Sequence, residues 1–486
     1  MLKFDVVIIG GGITGTAIAR ELSKFDLKAA LLEANMDIAS GTTKGNGGVI
    51  HSGYDPNPST MKAKVNCKGA LMYPKLAKEL GFEYKNTGSM VVGFEDKDTE
   101  VLNKLYENGK KNGVPGLRII ERDEIFKIEP RVNRAAKYAL YAPTAGIADP
   151  FEVAIAFAEN ASENDVKIYR NQKVVGITKN DEFFNITTQN REYQARFIVN
   201  AAGVYGDYIA KLVGIEDYEI KPRFGELLVM DKAIGFELNT VLFPLPGNRT
   251  KGIVVIPTVH GNIIVGSTAR MTEDKEDISV TKEGIEELLN GAKHLVPDIE
   301  KRFLIRQFAG LRPVETNTND FVIEASKKVK GFINAIGIQS PGVASAPAIA
   351  EMVRDILSNE GLDLKEKKSF NPYRTPILDF SELTDEEKDE LIRKKPSYGR
   401  VICRCETVTE GEILSAINRP VGAVTVDGVK RRTRAGMGRC QGGFCQHRIV
   451  SILSRELGIP KDEVLLENEK SKLIFGKMKG QEESRE

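Results

Sequence analysis

The chain has 486 residues, about three times a ~150-residue domain, so two or three domains around sizeable cores are expected. Its 69 basic and 68 acidic residues give a formal net charge of +1, which excludes a whole-molecule field favouring nucleic acid or an anionic membrane surface. Only five cysteines are present, four of them between 403 and 445, which argues against a disulfide framework and leaves Cys67 as an isolated buried thiol.

The start, MLKFDVVIIGGG, has too short an apolar run before its glycines for a secretory leader, so a cytoplasmic location is expected. A β-branched run from Val6 to Ile9, glycines at 10, 11, 12 and 15, and apolar Ile13, Ala17, Ile18 and Leu22 at helical spacing predict strand, tight turn and helix. A second apolar run, Ala29 to Leu32, ends in Glu33. Glycine lets the backbone approach a pyrophosphate at the helix amino terminus, and an acid at this distance accepts hydrogen bonds from a ribose. The pattern predicts a dinucleotide site at Gly10, Gly12, Ile13, Thr14, Gly15, Glu33 and Ala34. The plainer alternative is a glycine turn that packs helix on sheet.

Four later stretches bear on which dinucleotide: ASGTTKGNGGVIHSGYD (39–55), FIVNAAGVYGD (197–207), GLRPVETN (310–317) and GFINAIGIQSPGVASAPAIAEMV (331–353). FIVNAAG reads as an apolar strand followed by small residues, suited to backbone passing beneath a ligand. The uncharged tract 332–350 is broken by polar residues, glycine and two prolines, so it predicts a buried strand, turn and helix whose N–H groups are offered at the turn, and not a membrane span. Together the four resemble successive flavin-contacting motifs of the D-amino-acid-oxidase and glycerol-3-phosphate-dehydrogenase superfamily, over about residues 4–365.

That resemblance implies FAD and an α/β fold. It implies a Rossmann-like FAD-binding domain in three pieces (1–85, 148–220 and 310–365), with a β-rich substrate domain inserted from 86–147 and 221–309. It also implies cofactor contacts at Thr42, Thr43, Gly47, Gly48, Val174, Ala201, Ala202, Gly203, Gly310, Gly337, Ile338, Gln339, Ser340, Gly342 and Val343. Short apolar runs bounded by Gly or Asp, in GSMVVGF, GELLVMD and GNIIVGST, are strands such a domain needs.

Flavin dehydrogenation needs a proton acceptor and usually a cation to hold an anionic substrate. His51 resembles the histidine of the IHGG or IHSG loop of glycerol-3-phosphate and L-2-hydroxyglutarate oxidoreductases, which implies a proton acceptor or flavin neighbour; a structural loop histidine is the alternative. His260, in PTVHGN, ranks second. Arg312, in GLRPVE, resembles the superfamily arginine that grips carboxylate or phosphate, the alternative being an ion pair with Glu315. Tyr54, Lys251 and Arg270 complete the substrate-binding candidates.

Residues 366–398 are polar and read as a linker, with Thr384 to Glu387 spelling a capping box. Thr409 with Glu412 caps a further helix, and Cys445 opens another that Gly458 and Pro460 stop; a tail occupies 461–486. The cysteines read C-x-C, thirty-four residues, then C-x4-C. Four thiolates on two close pairs, Cys403, Cys405, Cys440 and Cys445, suit a [2Fe–2S] cluster, with zinc and a basic nucleic-acid patch as alternatives. Residues 400–448 hold nine basic against four acidic residues, so Arg404, Lys430, Arg431, Arg432, Arg434 and Arg439 are expected to offset the cluster's charge. Residues 399–460 resemble the bacterioferritin-associated-ferredoxin domain found fused to flavin dehydrogenases, although the small ferredoxins have C-x2-C where this chain has C-x4-C.

The expected activity is an FAD and iron–sulfur dehydrogenase that oxidises sn-glycerol 3-phosphate to dihydroxyacetone phosphate and passes electrons to a partner subunit, carrier or quinone. An L-2-hydroxyglutarate, opine or amino-acid dehydrogenase would use the same architecture, and a non-catalytic electron-transfer subunit is the reading from another class. A small anionic substrate is expected, with no nucleic acid and no transmembrane segment; peripheral membrane association through a partner stays open.

Overall fold

The computed structural model describes residues 1–247 and 252–476, which fall into two compact units. One comprises residues 1–34 and 38–376, the other residues 35–37 and the chain from Ile377 onward.

In the first unit, strand Leu2–Ile9 pairs in parallel with Ala29–Leu32 on one side and Glu192–Asn200 on the other. Lys167–Tyr169 extends the sheet beyond Ala29–Leu32, and Phe332–Ile336 joins Glu192–Asn200, again in parallel. Parallel strands are covered on both faces, which is why VVII, AALL and FINAI read as unbroken apolar runs. Helix Ile13–Leu22, buried along its whole length, packs against helices Pro150–Glu163 and Gly342–Asn359.

A second, nine-stranded sheet is built from Ser89–Gly93, Arg118–Glu121, Tyr138–Ala142 and the strands between Ile220 and Glu315. Helix Lys282–Leu295 covers part of it, with Leu288 and Leu295 packed on Leu228, Leu242 and Val265. The expected boundary at 309/310 falls inside a strand. Leu304–Glu315 runs antiparallel to Ile220–Met230 along nearly its full length, so Gly310 and Arg312 belong to this sheet. Pairing Arg223 with Arg312, 89 residues apart, is a tertiary fact that the local run GLRPVE does not carry.

The expected linker is also redistributed. Residues up to Pro376 are fastened to the first unit: Asn371 N–H donates to Asn164 Oδ1 at 2.8 Å, and Arg374, buried, pairs with buried Glu159 at 2.5 Å. From Ile377 the chain folds into the second unit, where Phe380 stacks on Tyr398 with ring centroids 6.3 Å apart and its N–H reaches Glu412 Oε1. Polar composition imitates a linker because buried ion pairs and capping bonds acquire their partners only on folding.

The second unit holds helices Asp385–Lys394, Glu410–Ile417, Val426–Thr433 and Gln446–Leu457. Both expected capping boxes form, and Gly458 ends the last helix at φ +66°. Val426–Thr433 was not anticipated, since its apolar face is little more than Val426 and Val429 beneath a basic run. The described part of the tail packs back, Leu465 and Leu466 carbonyls accepting from Val426 and Asp427, while 477–486 lie outside the described residues. Among the described residues no helix is long and apolar enough to cross a membrane.

Candidate active site

The dinucleotide candidates gather at the carboxyl ends of four adjacent parallel strands. Gly10 to Gly15 follow Leu2–Ile9, Glu33 and Ala34 follow Ala29–Leu32, Ala201 to Gly203 follow Glu192–Asn200, and Gly337 to Val343 follow Phe332–Ile336. Open α/β sheets bind ligands in such a crevice. Gly10 sits at φ +112°, where a Cβ would lie 2.4 Å from the Ala201 carbonyl oxygen, so the turn admits only glycine. Buried Glu33 accepts the Gly11 N–H at 2.7 Å, and Thr43 Oγ1 accepts that of Ile13 at 2.9 Å. Gly12 supplies no side-chain cap, and the Thr14 and Gly15 N–H groups have no acceptor among the described residues. A buried helix terminus with open donors is suited to a pyrophosphate. Val174 opens an edge strand two residues after Gln172, whose N–H donates to the Glu33 carbonyl.

From Thr42 to His51 the chain crosses onto the nine-stranded sheet. Thr42 Oγ1 donates to the Leu311 carbonyl at 2.6 Å, Gly45 lies against Gly310, and Gly47 lies against Ile256. A Cβ on Gly310 would fall 1.9 Å from the Gly45 carbonyl oxygen, which is why both positions are glycine. The His51 ring lies 5.5 Å from that of Phe243. Ser52 Oγ and Asn66 Oδ1 adjoin His51 and are buried without a hydrogen-bonding partner, groups that a polar ligand would satisfy. These features fit a flavin dinucleotide laid between the two sheets of this unit.

Arg312 is brought to the same loop and stands directly opposite Arg223 in the strand register. Its guanidinium donates to three carbonyls, those of Arg223 (3.3 Å), Phe224 (3.3 Å) and Thr268 (2.7 Å). Arg223 donates to Gln339 Oε1 at 3.3 Å, tying the pair to the Gly337 to Val343 turn. Burial, and then the Arg223 charge, holds the Arg312 guanidinium down to about 10; burial also lowers Arg223. Two neighbouring, partly buried cations that, among the described residues, are bonded to neutral oxygens are costly unless an anion joins them. The ion pair with Glu315 does not form: that carboxylate caps a turn through Asn317 and Thr318. Arg223 escaped the sequence reading because one basic residue ahead of an apolar run looks like a solvated strand end; only its register opposite Arg312 marks it.

Other candidates fall elsewhere. Arg270 commits its guanidinium to Glu226 (3.1 Å) and Glu287 (2.8 Å). Tyr54 is packed in an apolar cluster with Cys67, Leu105 and Leu117, and burial raises its phenol. His260 lies in the turn from Thr258 to Asn262, its Nε2 3.7 Å from Asp149. Lys251 lies outside the described residues.

The cysteines form two thiol pairs, each with one member from each motif. Cys405 and Cys440 have sulfurs 3.5 Å apart, and Cys403 is hydrogen-bonded to Cys445. The Cys445 contact and backbone N–H groups of Gly436, Glu406 and Cys405 hold Cys403 down to about 6, while Phe444 and Gly442 N–H groups reach Cys440. Among the described residues no three potential ligands converge on one point. Two pairs ringed by N–H donors fit a binuclear cluster better than one tetrahedral ion. The expected basic shell is largely spent on acids: Arg431 and Arg432 pair with Asp37 (3.0 and 2.7 Å), Arg434 with Glu406 (3.0 Å) and Lys430 with Asp427 (3.3 Å). Sequence counting missed this because Asp37 is nearly four hundred residues away.

The family model of FAD dependent oxidoreductases matches residues 5–356, and that of the BFD-like [2Fe-2S] binding domain matches residues 401–455. The chain is similar to the glycerol 3-phosphate dehydrogenase of Caloramator mitchellensis, with 46% identity over 98% of this chain and 99% of that one. It is 25% identical to the anaerobic glycerol-3-phosphate dehydrogenase subunit A1 of Haloferax volcanii, over 93% of this chain and 83% of that one. Among solved structures, the dithionite-reduced L-alpha-glycerophosphate oxidase of Mycoplasma pneumoniae with FAD bound superposes with a TM-score of 0.74 at 33% identity, covering 78% of this chain and 100% of that one.

Proposed function

Because this chain belongs to the FAD-dependent oxidoreductase family and carries a BFD-like domain, with FAD and a [2Fe–2S] cluster as its cofactors, we propose that it oxidises sn-glycerol 3-phosphate at C2 to dihydroxyacetone phosphate. The observation that carries this reading is the Arg312 and Arg223 pair, without a carboxylate and joined to the flavin loop through Leu311 and Gly310. The arginines hold the phosphate dianion, Arg312 as a planar fork. His51 accepts the C2 hydroxyl proton on its imidazole. The turn from Gly10 to Gly15, with Glu33, would hold FAD, which would supply the acceptor for the C2 hydride.

Cys403, Cys405, Cys440 and Cys445 would hold the cluster, which would supply one-electron transfer to a partner. Cys403 and Cys445 are each 1% exposed, whereas Cys405 is exposed, next to Arg404 and near Phe444 at 74% exposure. The Cys405 and Cys440 edge is therefore the exit towards an electron-accepting carrier or subunit, in keeping with the Haloferax relative being one subunit of an enzyme.

Anaerobic mixing of purified holoprotein with sn-glycerol 3-phosphate should bleach the flavin within a turnover, and L-2-hydroxyglutarate should not. Bleaching by the hydroxy acid alone overturns the substrate assignment. Arg312→Lys keeps the charge but loses the fork, so kcat/KM should fall roughly ten- to a hundredfold, about 1–3 kcal/mol, with FAD content unchanged. Wild-type kinetics there would move the anion site off Arg312.

A further inference from the structure

We propose that Glu226 and Thr268 are positioning residues for Arg312, forming a buried clamp that aims the guanidinium at the substrate's anionic group; this rests on the assignment of Arg312 as the anion-binding residue. Strand Ile263–Gly266 ends before Thr268, so ladder pairing does not hold that peptide. A single residue does. Thr268 N–H donates to the Glu226 carbonyl (3.2 Å), Thr268 Oγ1 accepts the Glu226 N–H (2.9 Å), and the same hydroxyl donates to Glu226 Oε2 (2.9 Å). The Thr268 carbonyl then accepts the shortest of the three Arg312 bonds, 2.7 Å.

Glu226 is itself immobilised. It is 0% exposed, and its other oxygen accepts both the N–H and the hydroxyl of Thr281 at 2.7 Å, which caps helix Lys282–Leu295. Arg270 supplies the compensating charge at 3.1 Å. The helix, the strand and the Thr268 peptide thus share one carboxylate, and an error in the Thr268 carbonyl passes directly to Arg312. Glycine at 225 leaves room for this contact: a Cβ there would stand 2.6 Å from Arg312 Nη2 and 2.9 Å from the Thr268 carbonyl oxygen. The clamp contributes to affinity for the anion and leaves the chemistry at C2 to other groups, so its loss should appear in KM and hardly in kcat.

Thr268→Val keeps the side-chain volume and removes the hydroxyl. In holoenzyme it should raise KM for sn-glycerol 3-phosphate and the inhibition constant of inorganic phosphate together, roughly tenfold, with kcat within about twofold and flavin content intact. Thr268→Ser, which keeps the hydroxyl, should restore both constants. A structural role alone would lower thermal stability and flavin content without separating KM from kcat. Unchanged KM and phosphate inhibition in folded Thr268→Val overturn the clamp. If that variant is insoluble, Thr268→Ala removes the same hydroxyl bonds to Glu226 and decides by the same readout: raised constants support the clamp, unchanged ones overturn it. Arg312→Lys separates the two failures. If it too leaves both constants unchanged, the anion site itself is misassigned; if only Arg312→Lys raises them, the clamp alone is wrong.

Discussion

Gly12→Val protein should purify folded and colourless. Gly12 has φ −76°, which any residue adopts, so the backbone does not resist substitution. A Cβ there would lie 3.2 Å from Thr43 Oγ1, the group that caps the Ile13 N–H, and the valine methyls would then enter the space at the helix terminus where the pyrophosphate belongs. Overpacking of about 1–3 kcal/mol, together with a displaced Thr43, should weaken FAD retention by roughly a hundredfold. Flavin absorbance per polypeptide, read beside the circular dichroism of the same sample, checks it. A yellow, stoichiometrically flavinated variant contradicts the placement of the pyrophosphate on this helix.

Cys440→Ala should split the protein's two redox activities. Cys440 faces Cys405 at 3.5 Å and receives N–H groups from Phe444 and Gly442, so removing its sulfur breaks one thiol pair and the donor set around it. Iron should drain and the apolar cluster of Ile413, Val429, Ile449 and Leu453 should loosen. The first unit has its own cores on both sheets and should stay folded with FAD in place. Substrate should therefore still bleach the flavin in rapid mixing, while turnover with a one-electron acceptor protein falls to background. Full iron and full turnover would remove Cys440 from the ligand set. Zinc as the sole metal of anaerobically prepared wild type would end the relay reading and leave a structural module.

The phosphate loop was legible because its constraint is local. Strand, glycine turn, helix and terminal acid lie within 33 residues, and Gly10 is glycine for a reason that its own backbone supplies. The capping boxes at Thr384 and Thr409 were legible likewise, since three residues define each. For Tyr54 and Arg270 residue type announces what a side chain is able to do, whereas packing beside Cys67 and a bond to Glu226 are tertiary facts that no local motif carries.

The sequence by itself determined the strand, glycine turn and helix at the amino terminus, the two capping boxes and the spacing of the four cysteines, because periodicity, glycine placement and cysteine spacing act over short stretches of chain. Only the tertiary structure decided how these parts combine. It set Arg223 opposite Arg312, gave Arg431 and Arg432 to Asp37, and crossed the two cysteine motifs into pairs. A cation's role depends on which oxygen lies within about 3 Å of it, and residues tens to hundreds apart in the chain meet at that distance only through strand register and helix packing.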